Sequence, residues 1–138
     1  MKKIIVIIGG TREALDEFDF IKQVLGVTLI KASSFSVFSV YISEHHERLG
    51  DVSAFIVIGK TGEDRYHANL NAIRVIKNSE EFSPLPILFV GEADPPEFVS
   101  HCENLEVRYL SRPIDQGELI AQLQDILARE APPSFDED

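Results

Sequence analysis

The sequence predicts an α/β domain: a five-stranded parallel sheet with helices on both faces. Five short runs rich in apolar residues recur along the chain, and two of them, Ile4–Ile8 and Ala54–Ile58, show no polar alternation, as strands buried on both faces do. Between them lie longer stretches whose apolar residues recur at three- and four-residue steps, the mark of helices packed on one side. The two kinds alternate along the chain, and strands separated by helices pair in parallel through right-handed crossovers.

Lys3–Gly9 (KIIVIIG) reads as the first strand. Arg12–Leu25 reads as one helix with Leu15, Phe18, Ile21, Val24 and Leu25 inward, Thr11 as its N-cap and Gly26 as its stop. Val27–Ala32 is the second strand, and Ser34–Leu49 a second helix ending at Gly50. That helix carries Phe35, Val37, Phe38, Val40, Tyr41 and Ile42, more apolar surface than one stripe uses. Ala54–Ile58 is a third, central strand, followed by a loop with Gly59, Thr61 and Gly62. Tyr66–Lys77 forms a helix with Leu70, Ile73 and Ile76 inward, and Pro84 and Pro86 bracket the turn before the strand Ile87–Val90. Asp94-Pro95 combines a capping acid with a proline suited to the first helical position. Val107–Leu110 is the fifth strand, and Asp115 with Glu118 forms a capping box for a helix to about Arg129. Its inward residues are Leu119, Leu123, Ile126 and Leu127.

At 138 residues the chain has the size of one domain, taken as 1–129, with the acidic, Pro-broken 130–138 as a tail or linker start. Its 13 basic and 23 acidic residues give a net charge of −10, which repels phosphate backbones and anionic lipid. Nucleic acid and membrane are therefore excluded as default partners. The longest apolar runs, Ile4–Ile8 and Ala54–Ile58, are too short for a membrane span or a signal peptide. The single cysteine, Cys102, excludes an intrachain disulfide and fits a reducing, cytoplasmic setting; it reads as a half-buried small residue.

In such a sheet, chemistry sits at the carboxyl ends of the strands. There the sequence resembles the receiver domain of bacterial response regulators, over about residues 2–129. The resemblance rests on Tyr109-Leu110-Ser111-Arg112-Pro113 before a capped final helix, and on Asp51–Lys60 (DVSAFIVIGK) in the place of the third strand. It implies a flavodoxin-like, CheY-like doubly wound sheet with strand order 2-1-3-4-5. It also implies a site where an aspartate after strand three accepts a phosphoryl group. An acidic pair after strand one would hold Mg²⁺, and a hydroxyl after strand four and a lysine after strand five would meet the phosphoryl oxygens.

Carried over position by position, the acidic pair falls on Gly9 and Gly10, the nucleophile on Gly59, the hydroxyl on Gly91 and the lysine on Arg112. Glycine neither binds Mg²⁺ through a carboxylate nor accepts phosphate, and shifting by one residue brings no aspartate into place. The expectation is a pseudo-receiver with no phosphoacceptor, no metal, no cofactor and no catalytic residue, acting as a protein–protein interaction module in bacterial signalling. Its partner would be another signalling protein or a second copy in a homodimer. By the same resemblance the docking surface spans Asp94–Leu105, Glu106–Leu110 and Asp115–Arg129, with Phe98, His101, Tyr109 and Arg112 as contact residues. Tyr109 matches the family's switch aromatic.

Gly9-Gly10-Thr11 also resembles the phosphate-binding turn of some nucleotide-binding enzymes, which leaves a small-ligand or nucleotide sensor, or an NADP-binding enzyme, as the alternative. It lacks the third glycine and a ribose-binding acid after strand two, where Lys31 stands. Gly59-Lys60-Thr61 lacks the upstream glycine of a P-loop, since Ala54 occupies that position. His45-His46, flanked by Glu44 and Glu47, reads as a solvated helix end, because neighbouring helical side chains diverge by about 100°.

Overall fold

The computed structural model describes residues 3–130; of the expected tail 130–138, Glu130 closes the last helix and the rest lies outside the described residues. Strands β1 (Ile4–Ile8), β2 (Thr28–Ala32), β3 (Val52–Ile58), β4 (Ile87–Gly91) and β5 (Arg108–Ser111) form one sheet in the order β2-β1-β3-β4-β5. All four neighbouring pairs are parallel. The helices are α1 (Arg12–Asp16), α2 (Phe20–Leu25), α3 (Phe35–Ser43), α4 (Arg65–Lys77), α5 (Pro96–Asn104) and α6 (Gln116–Glu130), with a 3₁₀ turn at His46–Asp51.

Alternation along the central strands divides the core into two layers. Ile4, Val6 and Ile8, with Phe55, Val57 and Phe89, meet Phe38 and Ile42 of α3, Leu70, Ile73 and Ile76 of α4, and Phe98 and Cys102 of α5. Ile5 and Ile7, with Ile56, Leu88 and Val90, meet Leu15, Phe18 and Ile21 below, together with Leu119, Leu123 and Ile126 of α6. Burying both faces is what makes these strands continuously apolar.

Several boundaries differ from the sequence expectations. The expected Arg12–Leu25 helix is two, because residues 17–19 form turns closed by three-residue hydrogen bonds, Phe18 N to Leu15 O and Ile21 N to Phe18 O. The tighter winding places Leu15, Phe18 and Ile21 on one line, all buried, and leaves Val24 58% exposed rather than inward. The second helix ends at Ser43, where His45 leaves helical geometry, so Gly50 lies within the 3₁₀ turn and is not a helix stop. Strand β3 starts two residues before the expected Ala54, at Val52.

Other local signals hold. Thr11 Oγ1 accepts from Ala14 N at 3.2 Å, and Asp115 Oδ1 accepts from Glu118 N at 3.0 Å. Gly26 caps α2 with φ 66°, the left-handed geometry glycine adopts freely. Cys102 is fully buried, not half-buried, and burial pushes its thiol up to about 11, with the Asp94 and Glu103 charges adding to the shift. No helix of the described residues is long and apolar enough to cross a membrane.

Candidate functional site

The carboxyl ends of β1, β3, β4 and β5 open onto a crevice of about 1010 Å³. Gly10, Gly59, Gly91 and Arg112 line it, as their positions after the strands require. Gly9 does not. It lies on the other side of β1, in a smaller pocket shared with Ser33, Ser34 and Asn69, because the chain crosses the sheet edge between the two glycines. Gly9 has φ 104°, and a Cβ there would sit 2.7 Å from the Ile58 carbonyl oxygen, so close backbone approach requires glycine.

At Gly59 and Gly91 the room for a side chain is already filled. A Cβ on Gly59 would stand 2.7 Å from Phe89 Cζ and 3.1 Å from the Val90 carbonyl oxygen. The loop behind it is fixed by Asn69, 2% exposed, whose amide accepts from Lys60 N at 2.7 Å and donates to Lys60 O at 3.2 Å. A Cβ on Gly91 would stand 2.1 Å from Asp94 Oδ2 and 2.5 Å from the Tyr109 hydroxyl oxygen.

Tyr109 therefore folds in over Gly91. Its hydroxyl donates to Asp94 Oδ2 at 2.6 Å and accepts from Asp94 N at 3.3 Å. Its ring stacks on Phe89 at 5.9 Å and meets Phe98 edge-on at 6.3 Å. Asp94 is the centre of this network: its carboxylate, 3% exposed, also faces Arg65 Nε at 3.2 Å and accepts from Glu92 N at 3.2 Å. The expected capping role of Asp94 fails for that reason. Pro95 occupies the N-cap position of α5, and the Asp94 side chain turns to partners from other elements. Burial, with the hydrogen bond to the Asp94 carboxylate second, pushes the Tyr109 phenol up to about 12.

Gly9, Gly10, Gly59 and Gly91 bring no acid to the crevice, but α1 brings carboxylates to its rim that position-by-position reading missed. Glu13, Asp16 and Glu17 line it, and Glu92 borders it after β4. Their spacing of three and four residues, directly after β1, puts them on one helical face and was the available signal. Two are committed elsewhere. Glu17 binds Arg112 Nη1 at 2.8 and 3.1 Å, and Asp16 binds Lys31 Nζ at 2.7 Å, which Asp19 also reaches. The Lys31 ammonium holds the exposed Asp16 carboxyl below its usual range. Among the described residues no three His, Cys, Asp or Glu side chains converge as metal ligands.

Of the expected contact residues, Phe98 is 1% exposed and packs beneath Tyr66, Phe89 and Tyr109, so it is no surface contact. The inward side of α5 faces the sheet, and Phe98 shares that side with Cys102. His101 and Tyr109 are half-buried, with His101 edge-on to Tyr66 at 6.0 Å. Arg112 is half-buried and reaches across the crevice to Glu17 of the α1–α2 turn, away from α5. His45 is not a free helix-end side chain: its ring stacks on Tyr41 at 4.1 Å, and its Nδ1 lies 2.8 Å from the Tyr41 carbonyl oxygen.

A five-stranded parallel sheet in this order, with a crevice at its carboxyl edge, defines the flavodoxin-like class. Within that class the chain has the fold of response-regulator receiver domains. A two-component response regulator from Clostridium difficile superposes with a TM-score of 0.72 at 15% identity, covering 95% of this chain and 100% of that one. A putative response regulator from Chloroflexus aurantiacus gives 0.72 at 18% identity over 94% and 100%. The chemotaxis protein CheY4 of Vibrio cholerae gives 0.72 at 12% identity over 92% and 100%. No protein-family model matches the sequence, and no curated protein matches it.

Proposed function

We propose that this protein is a pseudo-receiver: a bacterial signalling module in the cytoplasm that docks a protein partner without being phosphorylated, and is not an enzyme. The observation that carries this reading is the state of the position after β3. It holds glycine, and the volume a carboxylate would need is occupied by the Phe89 ring, 2.7 Å from the site of a Cβ. A nucleophile is missing, and so is the space for one.

The remaining crevice supports the same reading. Arg112, in the place of the cation that would meet a phosphoryl group, already has a carboxylate in Glu17. Tyr109, in the place of the switch aromatic, is held inward by Asp94. The surface formed by α5, β5 and α6 is then offered to a partner in one arrangement, with His101 and Tyr109 on it and Phe98 beneath as packing. The partner is another signalling protein or a second copy.

Incubation with acetyl phosphate and Mg²⁺, followed by intact-mass measurement, tests this directly. The expected outcome is an unchanged mass. Stoichiometric, Mg²⁺-dependent phosphorylation would overturn the proposal.

A further inference from the structure

We infer that the cavity between α3 and α4 is a binding site for a small organic monoanion, a carboxylate on a compact apolar body. This site goes beyond the docking reading above and does not depend on it. The cavity, of about 250 Å³, lies at the carboxyl ends of β1 and β3, on the opposite side of β1 from the crevice. Strand order reverses there: the helix after β1 joins one core layer and the helix after β3 joins the other. Their divergence leaves a gap over the strand ends, the place where open α/β sheets take their ligands.

Its lining is of two kinds. Ile8 and Val57, both buried, form the floor, and Phe35, Ala72 and Val75 wall it from the helices. The Phe35 ring is fixed by Phe38, Phe55 and Phe82, with centroids at 6.0, 6.3 and 6.1 Å, so this wall is formed before any ligand arrives. Ser33, Ser36 and Asn71 bring hydroxyl and amide groups that have no hydrogen-bond partner among the described residues. Lys60 also borders the cavity and makes no ion pair among the described residues. The buried Asn69 amide bonds both the N–H and the carbonyl of Lys60, so the lysine leaves the backbone at a fixed point.

Charge and size select the ligand. No acid lines the cavity, whereas Glu13, Asp16, Glu17 and Glu92 line the crevice, so of the two openings this is the one suited to an anion. One lysine matches one negative charge; a phosphate group, at about −1.5 to −2, brings more charge than it offsets. The volume is that of about eight waters and falls below the roughly 300 Å³ at which drug-sized sites begin, which excludes a nucleotide. Apolar walls beside one cation and a few uncharged donors match hydrocarbon next to a carboxylate.

The test titrates the whole ¹⁵N-labelled chain with benzoate and isovalerate, and with benzamide and benzylamine as neutral and cationic counterparts. Both carboxylates are expected to give saturable amide shifts centred on Gly9, Ser34, Ser36 and Ala72, with a Kd of about 1 mM or below. Benzamide should bind at least about threefold more weakly, and benzylamine not at all. Lys60→Gln, at an exposed position, should weaken benzoate binding by about threefold to fivefold. Ala72→Leu fills the cavity and should abolish binding of every probe, with thermal melting as the control for folding. Lys60 borders the crevice as well, so shifts centred on Gly91 and Glu92 instead would overturn the inference. So would benzylamine binding as tightly as benzoate, or no saturable shift from either carboxylate up to about 10 mM. Benzoate binding left unchanged by both substitutions would overturn it too.

Discussion

Replacing Gly91 with alanine puts a single methyl into the tightest part of the molecule. The added Cβ would stand 2.1 Å from Asp94 Oδ2, 2.5 Å from the Tyr109 hydroxyl and 2.8 Å from Tyr109 Cε2, far inside contact distance. Gly91 closes β4 and is buried, so the backbone is held and the side chains must move. Tyr109 must swing outward, breaking its 2.6 Å bond to Asp94, and the Asp94 carboxylate must leave Glu92 N. A hydrogen bond to a charged group contributes about 1.5–3 kcal/mol, and some ring packing on Phe89 is lost as well. The expected destabilisation is about 3 kcal/mol, a fall in Tm of roughly 10 °C for a chain of this length.

Urea and thermal unfolding measure the global loss, and tyrosinate absorbance reports the local cause. With Tyr109 expelled, its phenol should titrate near the ordinary 10.0 instead of about 12. Tyr109→Ala removes the two Tyr109 contacts and leaves the 2.1 Å contact with Asp94 Oδ2, so Gly91→Ala and Tyr109→Ala together should cost less than their sum by about 1 kcal/mol. A Gly91→Ala protein that melts within about 2 °C of the parent and keeps its high-pH tyrosine would refute the packing account.

Three further outcomes are expected. Because the Tyr109 phenol is raised from 10.0 to about 12 in the folded state, its contribution is complete below pH 10 and lost as pH rises toward 12; Tyr109→Phe should flatten unfolding stability measured across that window. Asn69→Leu removes both side-chain bonds to Lys60 and leaves its backbone N–H without a partner, at a cost of about 2–3 kcal/mol by urea unfolding. Amide exchange in the loop after β3 should accelerate in that variant. Gly26→Ala, at φ 66° with nothing within 4 Å of the new methyl, should cost about 1 kcal/mol through backbone conformation alone, and Gly9→Ala clearly more, since its methyl meets the Ile58 carbonyl.

The sheet was legible because burial on both faces demands unbroken apolar strands, and Ile4–Ile8 and Ala54–Ile58 obey that demand. Strand order came from the resemblance, since alternation of strands and helices alone fits several orders. The break between α1 and α2 was not legible: Leu15, Phe18 and Ile21 at three-residue steps satisfy a helix of 3.6 residues per turn and a tighter turn alike. Asp94-Pro95 misled for a different reason. Local chemistry favours a cap, but Arg65 and Tyr109, distant in sequence, compete for the same carboxylate. Helical period likewise gives Phe98 a stripe without saying that the stripe faces the core. The glycines at the strand ends could be read by position, whereas Phe89 and Tyr109 filling their space could not.

Those glycines and their neighbours are physically coupled, which bears on whether the site could be restored by substitution. An aspartate at Gly59 would first have to displace the Phe89 ring, which stacks on Tyr109 and packs against Phe98. Moving Phe89 would disturb Tyr109, and a hydroxyl residue at Gly91 would drive Tyr109 and Asp94 out directly. Arg112 would meanwhile have to give up Glu17 to meet a transient anion. A phosphoryl group in a receiver supplies negative charge that comes and goes, and here Glu17 and Asp94 supply fixed charge to Arg112 and Arg65. In the proposed pseudo-receiver these fixed partners take the place of that transient charge, and the docking surface is expected to keep one arrangement.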